Sequence, residues 1–159
     1  MSQTPATFAP GPEHARIATI VGTWVGAAST WLDPSAPPET STWNIVGTSL
    51  LGGRFVRLSY DGVVSGQPHA GELMLAYERD EARYTTTWID TFHTGTQVLV
   101  STGAPDEEAL DVRGSYPAGP DQRWGWRTQI RGVDNGFVIA MFNIGPDGEE
   151  FPAIEVRLG

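Results

Sequence analysis

The sequence predicts an all-β protein, a closed antiparallel barrel of about ten strands with a short helix capping one end. Three observations carry that reading. Beyond residue 22 the apolar residues follow the two-residue period of strands, and nothing there calls for a helix. Turn-forming residues recur at roughly the 8–12-residue spacing of all-β domains. The connections are short, so each strand pairs with the next, and a meander this long closes on itself instead of staying open and flat. A two-sheet sandwich is the alternative, but it usually needs longer crossing connections.

The helix is predicted over 12–21. Gly11 and Pro12 suit its N-cap and first position, and Glu13 complements the positive end of its dipole. Ile17, Ile20 and Val21 fall on one face, and Gly22 closes the C-terminal end. Gly22-Thr23-Trp24-Val25-Gly26 then opens the first strand. Its glycines let neighbouring backbone come close, so the Trp24 indole can stopper the narrow end of a curved sheet while guests enter at the other.

The strands are read as 23–31, 40–49, 54–60, 69–78, 83–91, 96–102, 108–115, 123–131, 137–144 and 151–158. A Pro-rich stretch, 33–38, separates the first two, and Leu51-Gly52-Gly53 turns into the third. Asp61-Gly62 begins the break before the fourth, and Arg79-Asp80-Glu81 makes a charged turn into the fifth. His93-Thr94-Gly95, Ala104-Pro105-Asp106 and a Pro/Gly loop over 116–121 introduce the next three. Asp134-Asn135-Gly136 is a strong hairpin signal, and Pro146-Asp147-Gly148 leads to the last strand.

At 159 residues the chain fits one domain, 12–159, behind a flexible tail, 1–11. Its net charge is −9 and its ten basic residues are all arginine, scattered along the chain. That balance excludes nucleic acid and anionic membrane as natural partners. Without cysteine there is no disulfide, thiolate nucleophile or sulfur-ligated metal; without lysine there is no side-chain Schiff base. No apolar run is long enough to cross a bilayer. Met1 to Pro12 has neither the positive charge nor the apolar core of a secretory signal, so a cytoplasmic location is expected. A homodimer stays open.

A site is sought in the strand interiors. Tyr84, Thr86, Trp88 and Asp90 share one face of the fifth strand, and Trp124, Trp126, Thr128 and Ile130 one face of the eighth. Arg54, Val56, Leu58 and Tyr60 do the same in the third. Either parity mixes aromatic and polar groups, which suits a partly wet pocket; a filled core with a decorated exterior carries equal weight. Tyr60, Trp88, Asp90 and Trp126 are the candidate lining residues, with His93 near the rim.

Trp88 to Gly95 holds a carboxylate, an imidazole and two aromatics, enough for an acid–base site. Asp90 and His93 differ by an odd number, so they cooperate only if the chain bends at Thr91 or Phe92 or His93 already lies in the turn. An exposed turn histidine is the commoner case. Glu72, beside Met74 and Ala76, is the third candidate acid, with an outer-face charge the favoured reading. No metal is expected, because His14, His69 and His93 are too far apart for a local ligand motif, though a fold could gather them. No Gly-rich phosphate loop or Gly-x-Ser-x-Gly elbow occurs.

Taken in order, Pro12-Glu13-His14, Val21-Gly22-Thr23-Trp24-Val25-Gly26, Leu51-Gly52-Gly53-Arg54-Phe55 and Trp88-Ile89-Asp90 resemble the bacterial domain-of-unknown-function family 1579, over essentially the whole chain after residue 10. The resemblance implies a lipocalin-like barrel, related in architecture to lipocalins, fatty-acid-binding proteins and nitrobindins, with no established activity. It also implies an arginine of the last strand, here Arg157, over the first-strand Trp24 as a cation–π pair. The nitrobindin likeness brings up haem, but those proteins use a histidine late in the chain, and none follows His93 here. The expected function is therefore binding of a small, largely hydrophobic molecule inside the barrel, without a cofactor. The alternative is a cofactor-free isomerase or cyclase using Asp90, Glu72 or His93 as acid or base.

Overall fold

A computed structural model describes residues 8–106 and 108–159. One helix, α1 (Pro12–Ala18), precedes ten strands: β1 (Gly22–Thr30), β2 (Glu39–Leu50), β3 (Phe55–Val64), β4 (Gln67–Glu78), β5 (Arg83–Asp90), β6 (Leu99–Gly103), β7 (Ala109–Pro117), β8 (Arg123–Val133), β9 (Gly136–Ile144) and β10 (Glu150–Leu158). Each strand pairs antiparallel with the next, and β1 closes the barrel against β10, from Gly26↔Leu158 to Thr30↔Ile154. The expected all-β barrel is the fold. Among the described residues no helix is long and apolar enough to cross a membrane.

The inward parity is the more apolar one. Val56, Leu58 and Tyr60 of β3, Tyr84, Thr86, Trp88 and Asp90 of β5, and Trp126, Thr128 and Ile130 of β8 are buried. Arginines 57, 127 and 131 stand on the opposite faces of β3 and β8. Side chains as fully buried as Ile45, Leu75 and Val156 each contribute about 1.5–3 kcal/mol over exposure. Outside, Arg127 binds Asp111 in a two-pronged pair at 2.9 and 2.6 Å and reaches Glu150 at 3.1 Å, tying β7, β8 and β10 together.

Several boundaries differ from the sequence expectation, for local reasons. The helix stops at Ala18 because the Thr19 hydroxyl and backbone N–H both bond the Arg16 carbonyl, closing the last turn early. Asp61-Gly62 is not a break: β3 runs on to Val64, and the chain turns at Ser65-Gly66, where both residues have positive φ. The sixth strand starts at Leu99, since Gly95 N–H bonds the Asp90 carbonyl and Gln97 N–H the Thr94 carbonyl, holding those residues in turns. Of the expected tail, residues 1–7 lie outside the described residues; farther along, the Ala9 carbonyl accepts a hydrogen bond from Arg79.

The Arg157–Trp24 cation–π pair is not formed. Ala27, not Trp24, stands opposite Arg157, whose side chain is 63 % exposed and paired with Glu155 at 2.9 Å. Trp24 instead sets its ring edge-on to Phe137 at 4.9 Å and donates its indole N–H to the Ile20 carbonyl.

Candidate functional site: a helix-capped cavity and a histidine–aspartate cluster at the opposite end

Strand direction gives the barrel two unlike ends. At one lie α1 and the turns β2–β3, β4–β5, β6–β7 and β8–β9; at the other lie β1–β2, β3–β4, β5–β6, β7–β8 and β9–β10.

The helix end holds a cavity of about 400 Å³, lined chiefly by Ile17, Ile20, Trp24, Leu110, Ile130 and Phe137, with Tyr84 adding a hydroxyl. Ile17 and Ile20 form its lid because α1 and the turn after it bury that face, whereas Val21, expected on the same face, is 39 % exposed. Arg16, Asp106 and Glu108 make a polar rim, and the Arg16 guanidinium donates to the Asp106 carbonyl at 2.6 Å, joining the lid to the β6–β7 loop. The sequence expectation had Trp24 stoppering this end and guests entering at the other. Trp24 is instead part of the cavity wall.

The other end is packed with aromatic rings around one carboxylate. Gly62 and Gly71 make the room. A Cβ on Gly62 would lie 2.4 Å from the Trp43 indole, and one on Gly71 would lie 2.3 Å from the Tyr60 hydroxyl and 2.8 Å from Asp90 Cβ. Trp43 stacks on Tyr60 at 4.6 Å and 7°, and Trp88 on Trp126 at 4.9 Å and 27°. The Tyr60 hydroxyl donates to Asp90 Oδ2 at 2.8 Å and accepts from Trp88 Nε1 at 2.8 Å.

Asp90 ends β5 and organises the turn beyond it. Its Oδ1 accepts from the backbone N–H of Phe92 at 2.7 Å and from that of His93, and Thr94 bonds its backbone on both sides. The chain thus bends where Asp90 and His93 needed it to, and His93 Nδ1 comes to 3.2 Å from Asp90 Oδ2. His69 approaches the same oxygen from β4, its Nε2 at 3.5 Å.

Burial alone would raise the Asp90 pKa, but hydrogen bonds and charge from His93, with help from Tyr60, overcome it and hold the group at about 2. It is an anion at neutral pH. Burial pushes the Tyr60 phenol up, and the Asp90 charge pushes it further, so it remains a donor. Burial pushes His69 down despite the attraction of Asp90, favouring its neutral form.

Tyr60, Trp88, Asp90, His93 and Trp126, singled out from the sequence, therefore do come together, but away from the cavity, none of whose walls they form. Glu72 stands on the outer face, where it accepts from Ser59 at 3.3 Å, apart from both ends. The fold gathers two of the histidines that the sequence keeps apart: β4 and the β5–β6 turn place His69 and His93 around Asp90, the three candidate ligand atoms all within 4.8 Å of one another. His14 stays at the helix end, where its Nδ1 accepts from Gly11 N–H. His69 was weighed only as a metal ligand distant in sequence, and Trp43 and the cavity wall beyond Ile17, Ile20 and Trp24 were not picked out from the sequence. With the β3–β4 turn read at Asp61-Gly62, the cross-strand pairing Gly62↔His69 was hidden, and it is the signal that would have found His69.

Haem does not fit these residues. No histidine lines the cavity, and His69 and His93 are wedged among Trp43, Tyr60, Trp88 and Trp126 with ring centroids 4.9–5.9 Å apart.

No curated protein matches the chain by sequence. Among solved structures it is similar to Rv2717c from M. tuberculosis, with a TM-score of 0.60 and 15 % identity over 93 % of this chain and 96 % of that one. That likeness is one of fold. Residues 9–158 match the model of a family described as proteins of unknown function, DUF1579, and the chain belongs to that family.

Proposed function

We propose that this protein binds a small, largely apolar molecule in the cavity under α1. The observation that carries the reading is the cavity itself: its volume of about 400 Å³ falls in the usual range for small-ligand sites, and its wall is aliphatic and aromatic with a few polar groups gathered at the rim. A filled barrel would have closed this space with side chains. The Arg16 guanidinium keeps N–H donors beyond the one bound to Asp106 at the rim. The buried Tyr84 hydroxyl, which donates to the Glu13 carbonyl, can accept, and the pair suits one polar head on an otherwise apolar guest. Glu72, Asp90 and His93 all stand away from the cavity, which favours carriage of a guest over acid–base turnover.

Titration with 8-anilinonaphthalene-1-sulfonate and competition by 1-decanol test this directly. Saturable one-to-one binding of the probe, displaced by decanol, is expected. Ile130→Trp, which fills the cavity from its wall, should abolish binding while the far-ultraviolet circular dichroism stays that of the wild type. Unsaturable binding, or saturable binding that the folded Ile130→Trp variant retains, would place the guest elsewhere.

A further inference from the structure

We infer that His69, Asp90 and His93 form a binding site for one divalent transition-metal cation of the zinc class, at the end of the barrel opposite the cavity. Zinc–ligand bonds of about 2.1 Å at tetrahedral angles set neighbouring ligand atoms about 3.4 Å apart. The two nitrogen-to-oxygen separations here, 3.2 and 3.5 Å, bracket that value, and all three ligand atoms lie within 4.8 Å of one another. A small closing movement of the two imidazoles would complete three corners of a tetrahedron. Two imidazoles and a single carboxylate suit zinc, cobalt or iron(II) better than calcium or magnesium, which take mostly oxygen ligands.

An Asp90-centred hydrogen-bond hub explains His93 but not His69. The His69 ring is 5 % exposed, and neither of its nitrogens makes a hydrogen bond of good geometry. Nε2 nevertheless points to within 3.5 Å of a carboxylate. A buried imidazole nitrogen that faces a carboxylate without a well-formed hydrogen bond is costly as it stands. Its lone pair becomes a metal–ligand bond once a cation lies between the two.

The surroundings supply what a metal site needs beyond its ligands. The Tyr60 hydroxyl, itself held by Trp88, fixes the Asp90 carboxylate by donating to Oδ2. The backbone N–H groups of Phe92 and His93 hold Oδ1, leaving Oδ2 for the cation. His93 lies in the turn with 14 % of its side chain exposed, which gives an ion a way in from solvent. Three protein ligands leave a fourth position for water or an exogenous group. The indole N–H groups of Trp43 and Trp126, whose rings pack on His69 and His93, are buried without an acceptor and could donate to such a group.

The test is calorimetric titration of metal-stripped protein with zinc chloride in the presence of excess magnesium, together with thermal melts. Wild type is expected to bind one equivalent and to melt at a higher temperature when loaded. His69→Gln and His93→Gln should each weaken binding at least about tenfold and lose the melting shift. His14→Gln, which changes the histidine outside the cluster, should bind as wild type does. Should His69→Gln fail to fold, His93→Gln alone decides, because His93 sits in a partly exposed turn. Absence of stoichiometric binding, displacement by magnesium, or wild-type affinity in folded His93→Gln would overturn the site.

Discussion

Gly71 shows how one missing side chain shapes this end of the barrel. Lying between Tyr60 on β3 and Asp90 on β5, it leaves space that both side chains occupy. In Gly71→Ala the new methyl group would stand 2.3 Å from the Tyr60 hydroxyl and push apart the Trp88–Tyr60–Asp90 chain. Overpacking of this kind costs about 1–3 kcal/mol. For a domain of this size that lowers the melting temperature by about 2–4 °C per kcal/mol. Gly132→Ala, where nothing lies within 4 Å, is the control and should change stability by less than about 0.5 kcal/mol. Tyr60→Phe should cost about 1–3 kcal/mol by a different route: it leaves the buried Trp88 N–H without an acceptor and takes a donor from Asp90. Thermal melts of the three variants check both expectations. At this scale the sequence was half legible. Asp90, His93, Tyr60 and the two tryptophans stand out by their chemistry, whereas Gly71 and His69 matter through neighbours on other strands that a single sequence does not place.

The helix is the element on which access to the cavity turns. Seven residues are too few to be stable alone, so α1 is held by what it buries, Ile17 within it and Ile20 just beyond, and by a few polar ties. Those ties are Arg16 to the Asp106 carbonyl and a longer bond, 3.4 Å, from the Tyr84 hydroxyl to the Glu13 carbonyl. Arg16→Ala removes the tie between lid and loop but leaves the apolar wall intact. Probe release measured by stopped-flow fluorescence should therefore quicken severalfold, while stability changes by less than about 1 kcal/mol because the lost bond is exposed. An unchanged release rate would mean that guests use another route. The existence of this helix was legible from Gly11-Pro12 and the Ile17/Ile20 spacing. Its end was not, because the Thr19 hydroxyl competes for the Arg16 carbonyl, a local bond that apolar periodicity does not register.

For the whole molecule, the closed meander was legible because strand period, turn spacing and short connections all point the same way. Which end would be hollow was not, since volume inside a barrel depends on side chains from strands far apart in sequence. The polar groups that looked like pocket lining fill one end by hydrogen-bonding one another, and the aliphatic groups that looked like core leave the other end open. The barrel wall is also uneven. β7 and β8 match in nine register pairs, from Ala109↔Arg131 to Pro117↔Arg123, whereas β6 and β7 match only at Ser101↔Gly114 and Thr102↔Arg113. β6 is the shortest strand, and the loop that follows it meets the cavity rim at Asp106 and Glu108. Local opening is cheapest where the fewest backbone hydrogen bonds and buried contacts must break. The amides of β6 and the facing part of β7 should accordingly exchange with deuterium faster than those of β3, β4, β8 and β9. Saturation with 8-anilinonaphthalene-1-sulfonate should slow that exchange, because a guest against Leu110 resists separation of the two strands. Hydrogen exchange read by mass spectrometry, with and without the probe, measures both. Uniform protection around the barrel would mean that the sheet opens nowhere in particular, leaving the lid as the route to the cavity.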